Sequence, residues 1–151
     1  MTRQATAADA TTVGTLLHRF NAEFGVAEPP AAEFARRFET LLADDDVIVL
    51  LAGGEEPVGF AFATLRPTPY HDGPLAQLEE LYVEPERRNE GIGSRLLDEL
   101  IRLVQARGCE EMHIGVDAPD TDARRFYERH GFTNTEPDGG GAMLLYLREF
   151  G

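Results

Sequence analysis

Residues 83–97 combine residue types and spacings that suit one kind of chemistry, the binding of phosphate. An apolar strand stops at Pro85, a short turn carries two arginines, and Gly91 and Gly93 lead into a helical apolar pattern. Glycines let the backbone approach a ligand closely, and the first amides of a helix have no internal acceptors. Those amides, the positive end of the helix dipole and the arginines would together attract an anion. The segment therefore predicts a site for a pyrophosphate group.

The glycine spacing in this segment differs from that of the common nucleotide sites, which need Gly-x-x-x-x-Gly-Lys-[Ser/Thr] or Gly-x-Gly-x-x-Gly. Residues 88–93 read Arg-Asn-Glu-Gly-Ile-Gly and resemble the [Gln/Arg]-x-x-Gly-x-[Gly/Ala] signature of the GNAT superfamily of N-acetyltransferases. Two other blocks agree with this resemblance. Leu-Glu-Glu-Leu-Tyr-Val at residues 78–83 is similar to the family's fourth strand, and residues 120–132 are similar to its Asn-x-x-Ala-x-x-Phe-Tyr-x-x-x-Gly-Phe block. The strong resemblance covers residues 76–134.

The resemblance implies an α/β fold, the GNAT fold, in a single domain over residues 1–151, with a mixed central sheet and the element order β-α-α-β-β-β-α-β-α-β-β. It also implies acetyl-CoA as the co-substrate, with the pantetheine along the strand near Tyr82 and Val83. Backbone amides of that strand would hold the thioester carbonyl as charge develops on its oxygen. The residues that the resemblance assigns to coenzyme A are Leu81, Tyr82, Val83, Arg88, Asn89, Glu90, Gly91, Ile92, Gly93, Ser94 and Asp120.

Acetylation of an amine needs a base, because a free alkylamine has a pKa of about 10. Glu79 and Glu80 are the candidates, and in an unbulged strand alternation would direct them to opposite faces. Similarity to Leu-Glu-Asp-Phe-Phe-Val in spermidine/spermine-type acetyltransferases, in which the first acid lies near the amine, favours Glu79. Asp117 and a carboxylate-held water are further candidates, and a surface charge or an ion pair is the alternative for both glutamates.

Tyr127 is the candidate general acid that protonates the departing thiolate. The Tyr of the Phe-Tyr-x-x-x-Gly-Phe block often has this role in the family, and a phenol can donate a proton. Packing beside Phe126 and Phe132, which are predicted to belong to the core, is the alternative. Asp120 stands where the family usually has Asn. Because an ionised Asp only accepts hydrogen bonds, Asp120 is predicted to cap a helix, and contact with coenzyme A is the alternative.

The charge and composition of the chain limit its partners. Its net charge is −13, and all 14 of its Lys and Arg residues are arginines. Such acidity argues against nucleic acid and favours cationic substrates, although a solvated acidic surface would explain it as well. The longest apolar stretch, Val47–Ala52, is too short to span a bilayer, and no secretory leader opens the chain. With one cysteine, Cys109, the sequence predicts a cytoplasmic protein without a membrane partner.

Hydrophobic periodicity predicts the elements around these motifs. Thr6 and Asp9 form a capping box before a helix whose inner face includes Phe20 and Phe24, and Pro29-Pro30 open a second helix. Further helices are predicted from residue 92 to Gly108 and from Asp120 to Gly131. Strands are predicted at residues 2–5, 47–52, 58–65, 76–84 and 112–116, with two last strands flanking residues 138–141.

Several questions stay open at the level of sequence. The four histidines show no ligand spacing, so no metal is predicted, and Cys109 and His113 are too far apart on a strand to form a nucleophile–base pair. The primary amine is expected to be a small cationic molecule, but polyamines, aminoglycosides, amino acids and protein N-termini all remain open. The different-class alternatives are a non-catalytic regulatory domain that binds coenzyme A or acetyl-CoA, and a structural interaction domain. Many members of the family form homodimers.

Overall fold

The computed structural model describes residues 1–151, which form five strands and four α-helices in two compact units, residues 1–114 and 115–151. Short 3-10 turns precede α1 and α3, at Ala7–Asp9 and Pro85–Arg87. The elements are β1 (Thr2–Gln4), α1 (Ala10–Ala22), α2 (Ala31–Leu41), β2 (Val47–Gly53), β3 (Pro57–Arg66), β4 (Leu75–Val83), α3 (Ile92–Ala106), β5 (Met112–Ile114) and α4 (Thr121–Arg129).

The five strands form one mixed sheet in the order β1-β2-β3-β4-β5. The first four are antiparallel neighbours, whereas β4 and β5 run parallel. Parallel neighbours need a crossover connection, and α3 supplies it here. The mixed sheet and the order of elements through α4 confirm the predicted fold class.

The two faces of the sheet are covered by different helices. On one face, α1 and α2 pack on an aromatic and aliphatic layer that includes Phe60, Phe62 and Tyr82. Alternation directs the buried Ile48 and Leu50 to the other face, and α3 packs on β2, β3 and β4. The buried residues of α3 recur at helical spacing and are Ile92, Leu96, Leu97, Leu100 and Val104. Burial on both faces explains the nearly continuous apolar sequence of β2.

The predicted helix starts are present. The backbone N–H of Thr6 donates to the carboxylate of Asp9 at 2.9 Å, which completes the capping box. Arg3 forms two hydrogen bonds with the same carboxylate, and this pairing lowers the pKa of Asp9 to about 2. Pro30 precedes the first residue of α2, as predicted.

Four predictions about elements and burial are wrong. Helix α1 ends at Ala22, so Phe24 lies beyond it and is 67% exposed. Val116 lies outside β5, and Phe126 and Phe132 are only partly buried. The two last strands are absent, and a single bridge joins Thr135 to Ala142.

The reason for the missing last strands lies in the sequence between the bridged residues. Pro137 has no N–H to give to a ladder, and Gly139 and Gly141 both adopt positive φ. The turn is closed locally instead, by bonds from Glu136 N to Gly141 O and from Met143 N to Asn134 O. The result is a tight turn rather than a hairpin.

Gly14 allows α1 and α2 to approach closely, and its substitution tests this packing. A Cβ at Gly14 would lie 2.6 Å from Ala35 N, which is backbone and cannot move alone. We expect Gly14→Ala to lower the free energy of unfolding by roughly 1–3 kcal/mol, although alanine favours a helix, because the helices must separate. Urea unfolding measures the change. The control is Gly54→Ala, whose Cβ would meet nothing within 4 Å; an equal effect of both substitutions would contradict the packing argument.

Candidate active site

Strand β4 contains a β-bulge at Glu79. Phe62 of β3 pairs with Glu80 and the next residue, Ala63, pairs with Leu78, so Glu79 has no residue opposite it. The extra residue shifts the alternation of the strand. Leu78 therefore shares a face with Ala63, whereas Glu80 shares a face with Phe62, on the side of α1 and α2. Because the strand is bulged at this point, the alternation argument does not apply to Glu79 and Glu80 and does not rank them.

The two glutamates differ in environment. Glu80 is partly buried, and burial, with a smaller contribution from the negative charge of Glu79, raises its pKa to about 7. Glu79 is exposed and accepts a hydrogen bond from Thr64 Oγ1 at 2.9 Å. A carboxyl with a pKa near neutrality can take a proton at physiological pH and release it again. This property belongs to Glu80, which the similarity to spermidine/spermine-type enzymes did not favour.

The outer edge of β4 is free of β5 beyond Leu78, because β5 ends at Ile114, the partner of Leu78. Glu84 N donates to Val58 O across the β3–β4 pair. In an antiparallel ladder this bond fixes the alternation, so the peptide groups of Leu81 and Val83 point away from β3. Arg88 Nε donates to Val83 O, and the other peptide groups of this edge can bind an extended ligand. The edge has the shape expected for pantetheine.

Tyr82 is buried rather than open to a ligand. Its side chain is 3% exposed, and its ring stacks on Phe20 at 5.1 Å between centroids. Burial raises the pKa of its hydroxyl. Its peptide groups point towards β3 by the same alternation. Tyr82 thus forms the floor of the site, and the free backbone groups belong to its two neighbours.

The turn between β4 and α3 has the conformation that an anion site needs. Asn89 and Gly91 have φ of 66° and 79°, and Gly91 N-caps α3 without a side-chain acceptor. The first helical bond runs from Arg95 N to Gly91 O. The amides of the three residues before it therefore have no helical acceptor, and they are Ile92, Gly93 and Ser94. We call the free amides of Ile92, Gly93 and Ser94 the phosphate cradle, because their arrangement fits a phosphate group.

The arginines near the turn have different partners. Arg87 pairs with Glu90, and Arg88 pairs with Glu23, which follows α1. Arg95 has no carboxylate partner, and its Nη1 lies 3.3 Å from Glu90 O. Neither Glu23 nor Arg95 was among the residues predicted from sequence. The signal for Arg95 was available, because it stands four residues after Gly91 on the same helical face.

The second unit, residues 115–151, contains the other predicted residues. Asp120 accepts from Ala123 N at 3.1 Å, which confirms the predicted helix cap. The ring of Tyr127 makes edge contacts with Phe126 and Phe132, at 5.2 and 5.7 Å between centroids. Asp117 is exposed, and its carbonyl accepts from Asp120 N.

The remaining polar residues form no second centre. No group of three or more His, Cys, Asp or Glu side chains is arranged to hold a metal ion. Cys109 is buried, and burial raises the pKa of its thiol. No helix is long and apolar enough to cross a membrane.

Comparison with known proteins agrees with this geometry. The sequence model of the acetyltransferase (GNAT) family matches residues 14–132. An aminoglycoside N(6')-acetyltransferase type 1 from Stenotrophomonas maltophilia is 30% identical over 144 residues, which cover 89% of this chain and 86% of that protein. A crystal structure from Arthrobacter sp. FB24, of a protein assigned as an acetyltransferase, is 53% identical and has a TM-score of 0.91, with 99% and 96% of the two chains covered.

Other relatives are longer than the matched region. The chain spans about half, 46%, of an uncharacterized N-acetyltransferase from Methanocaldococcus jannaschii, and 23% of the mycothiol acetyltransferase of Thermobispora bispora. The family model nevertheless covers both β4 and the glycine turn, which is the turn between β4 and α3 that contains Gly91. The chain therefore belongs to the GNAT family of acetyltransferases.

Proposed function

We propose that this protein transfers the acetyl group of acetyl-CoA to the primary amine of a small cationic molecule. The observation that carries the proposal is the position of Glu80, a partly buried carboxyl with a pKa of about 7 beside the free edge of β4. The glycine turn would bind the pyrophosphate, and the peptide groups of Leu81 and Val83 would bind the pantetheine and the thioester carbonyl.

The reaction follows from these groups as a direct transfer. Glu80 takes a proton from the ammonium group, directly or through a water, and the free amine nitrogen then attacks the thioester carbon. The C–N bond forms, the C–S bond breaks, and the electron pair of the C–S bond stays on sulfur. Tyr127 gives its proton to the thiolate, as the family resemblance implies. The nitrogen that has formed the C–N bond releases its second proton to solvent, and exchange with solvent returns a proton to Tyr127 and removes the one on Glu80. Burial keeps the pKa of Glu80 high, and the negative charge of Glu79 adds a smaller contribution.

The acceptor class is argued from charge and from relatives. The net charge of −13 attracts cations, and Glu79 and Glu80 provide a local negative potential next to the free strand edge. Several relatives at about 30% identity are aminoglycoside N(6')-acetyltransferases, which supports a polycationic amino sugar as one candidate. Polyamines satisfy the same electrostatic condition. Amino acids and protein N-termini carry less positive charge and fit it less well.

Thiol release from acetyl-CoA tests the proposed reaction against a panel of matched cationic, neutral and anionic primary amines. We expect cationic amines to give the highest kcat/KM, with an advantage that shrinks as ionic strength rises. Gly91→Glu should abolish both turnover and the increase in Tm caused by acetyl-CoA, because a charged side chain would fill the phosphate cradle. The control is Gly139→Glu, at a glycine with the same φ of 79° and with open space around it.

The outcomes of this assay separate the candidate functions. A stabilising effect of acetyl-CoA without turnover of any amine would favour the non-catalytic regulatory domain. Absence of both would favour a structural interaction domain, and a preference for anionic acceptors would contradict the proposed substrate class.

Glu80→Gln tests the general base. The substitution removes the proton acceptor, so kcat/KM should fall by roughly 10²–10⁴-fold and lose the rising limb of its pH profile near pH 7. Glu79→Gln should keep most of the activity, because Glu79 acts through its charge; it should shift that limb towards lower pH. A larger defect in Glu79→Gln would assign the base to Glu79.

The stability of Glu80→Gln provides an independent control. The folded protein binds the Glu80 proton more tightly than the unfolded chain does, so its stability falls as the pH rises from about 4.5 to 7. The glutamine variant should therefore gain up to about 3 kcal/mol over the wild type above pH 7, and the difference should vanish below pH 4.5. Urea unfolding at pH 4 and pH 8 measures both values.

Tyr127→Phe tests the general acid. The variant keeps the ring and its contacts with Phe126 and Phe132, and melting curves establish that it is folded. Without the phenolic proton, kcat should fall by at least about tenfold while KM for acetyl-CoA changes little. Pre-steady-state measurements establish whether chemistry limits the rate. An unchanged rate of the chemical step would assign Tyr127 to packing alone.

A further inference from the structure

Arg88, the first residue of the glycine signature, is held by groups of the protein itself. Its Nε donates to Val83 O at 2.9 Å, and its Nη2 lies 2.9 and 2.8 Å from the two carboxylate oxygens of Glu23. The guanidinium also lies 5.8 Å from the centroid of the Tyr82 ring. These contacts link Arg88, within the turn between β4 and α3, to the last residue of β4 and to Glu23 just after α1, and the Glu23 carboxylate compensates the charge of Arg88.

A second ion pair also joins α1 to the turn, but here the arginine belongs to α1 and the glutamate to the turn. Arg19, one helical turn before Glu23, pairs with Glu84 at the start of the turn. Phe20 lies between the two pairs in sequence and stacks on Tyr82. The end of α1 therefore contacts the turn through two ion pairs and one ring stack. This arrangement fixes the position of the turn in the absence of a ligand.

Arg95 has the opposite character. Its Nη1 lies 3.4 Å from the position that a Cβ on Gly91 would take, and it donates to Glu90 O at 3.3 Å. No carboxylate pairs with it, whereas Arg87 and Arg88 on the turn itself are both paired. Because Arg95 belongs to the first turn of α3, its positive charge adds to that of the free amides.

We propose that two arginines near the turn have different roles: Arg88, held by Glu23, positions the turn, whereas Arg95 at the start of α3 contacts the pyrophosphate of coenzyme A. This inference rests on the proposed function, since it assumes that coenzyme A binds at the turn. Glu23 is then a positioning residue that lies 65 residues from its partner and outside the signature. The guanidinium of Arg95, which has no carboxylate partner, is available to the ligand, whereas that of Arg88, which is paired with Glu23, stabilises the conformation of the turn.

Titration calorimetry with coenzyme A at two salt concentrations tests this division through the Arg95 variants. Arg95→Gln should raise Kd at least about tenfold and reduce the salt dependence of binding, because a charge-assisted hydrogen bond is lost. Arg95→Lys should recover most of the affinity, since a point charge can still contact a phosphate. The control is Arg102→Gln, two turns along α3, whose arginine pairs with Glu99; it should leave Kd unchanged.

The Arg88 and Glu23 variants should behave differently from those of Arg95. Arg88→Lys keeps the charge but loses the fork of donors, so it should weaken binding by about three- to tenfold, like Glu23→Gln. The double variant should bind coenzyme A no more weakly than either single variant, because both substitutions remove the same contact between Arg88 and Glu23. Removing the negative charge of Glu23 would favour an anion by electrostatics alone. Weaker binding in Glu23→Gln is therefore a positioning effect, which melting curves separate from loss of fold.

Specific results would overturn the inference. Tighter binding in Glu23→Gln would show that Glu23 competes with the ligand for Arg88, and full affinity in Arg95→Gln would show that Arg95 makes no phosphate contact. Dephospho-coenzyme A should show the same loss with Arg95→Gln; a loss confined to coenzyme A would assign Arg95 to the 3'-phosphate instead. Failure of the wild type to bind coenzyme A would remove the proposed function, which is a different result from these.

Discussion

The bulge at Glu79 is the constraint on which the site depends. Before it, Ala76 N bonds to Glu111 O and β4 is an ordinary inner strand of the sheet. After it, the same edge of the strand presents Leu81 and Val83, which no strand covers. One extra residue thus changes both the direction of the peptide groups and the face of the side chains. Without it, the residue at position 80 would share the face of Leu78, against α3, instead of the face of α1 and α2.

The site has an energetic cost that the surrounding packing offsets. A partly buried carboxyl with a raised pKa destabilises the folded state at neutral pH, and Glu79 increases that cost by like-charge repulsion. Phe62 is opposite Glu80, and Phe38 packs against Phe62 at 5.4 Å between centroids, so the aromatic layer under α1 and α2 extends to the strand position that carries the acid. Burial of such rings contributes several kcal/mol each. The arrangement keeps a carboxyl with a pKa of about 7 at the edge of a stable aromatic layer.

The sequence was sufficient to predict features that depend on neighbouring residues. It was insufficient for features that depend on strand register or on residues distant in the chain. The glycine turn and the cap at Asp120 were predictable, because left-handed glycines and capping acids act within a few residues. The bulge was not, since it exists only in the pairing of β4 with β3, and alternation therefore could not rank Glu79 and Glu80. Arg88 and Glu23 are separated by 65 residues, and no periodic pattern in the sequence indicates their pairing. The last two strands were predicted from apolar pattern alone, and the turn that contains Pro137 does not support a ladder.

The strong acidity of the chain and the proposed phosphate site are compatible because they act over different distances. At physiological ionic strength, charges more than about 8 Å apart in water are largely screened. A phosphate at the glycine turn therefore responds mainly to the amides of Ile92, Gly93 and Ser94 and to Arg95, all within one helical turn. The pairing of Arg87 and Arg88 with glutamates lowers the positive charge of the turn, but it leaves the amides free. The same screening would limit the attraction of the proposed cationic amine to the last few ångströms of its approach, where Glu79 and Glu80 contribute most of the local negative charge. In the proposed reaction, local charge would therefore select the ligand at each end of the strand edge, and the net charge would contribute mainly to encounter.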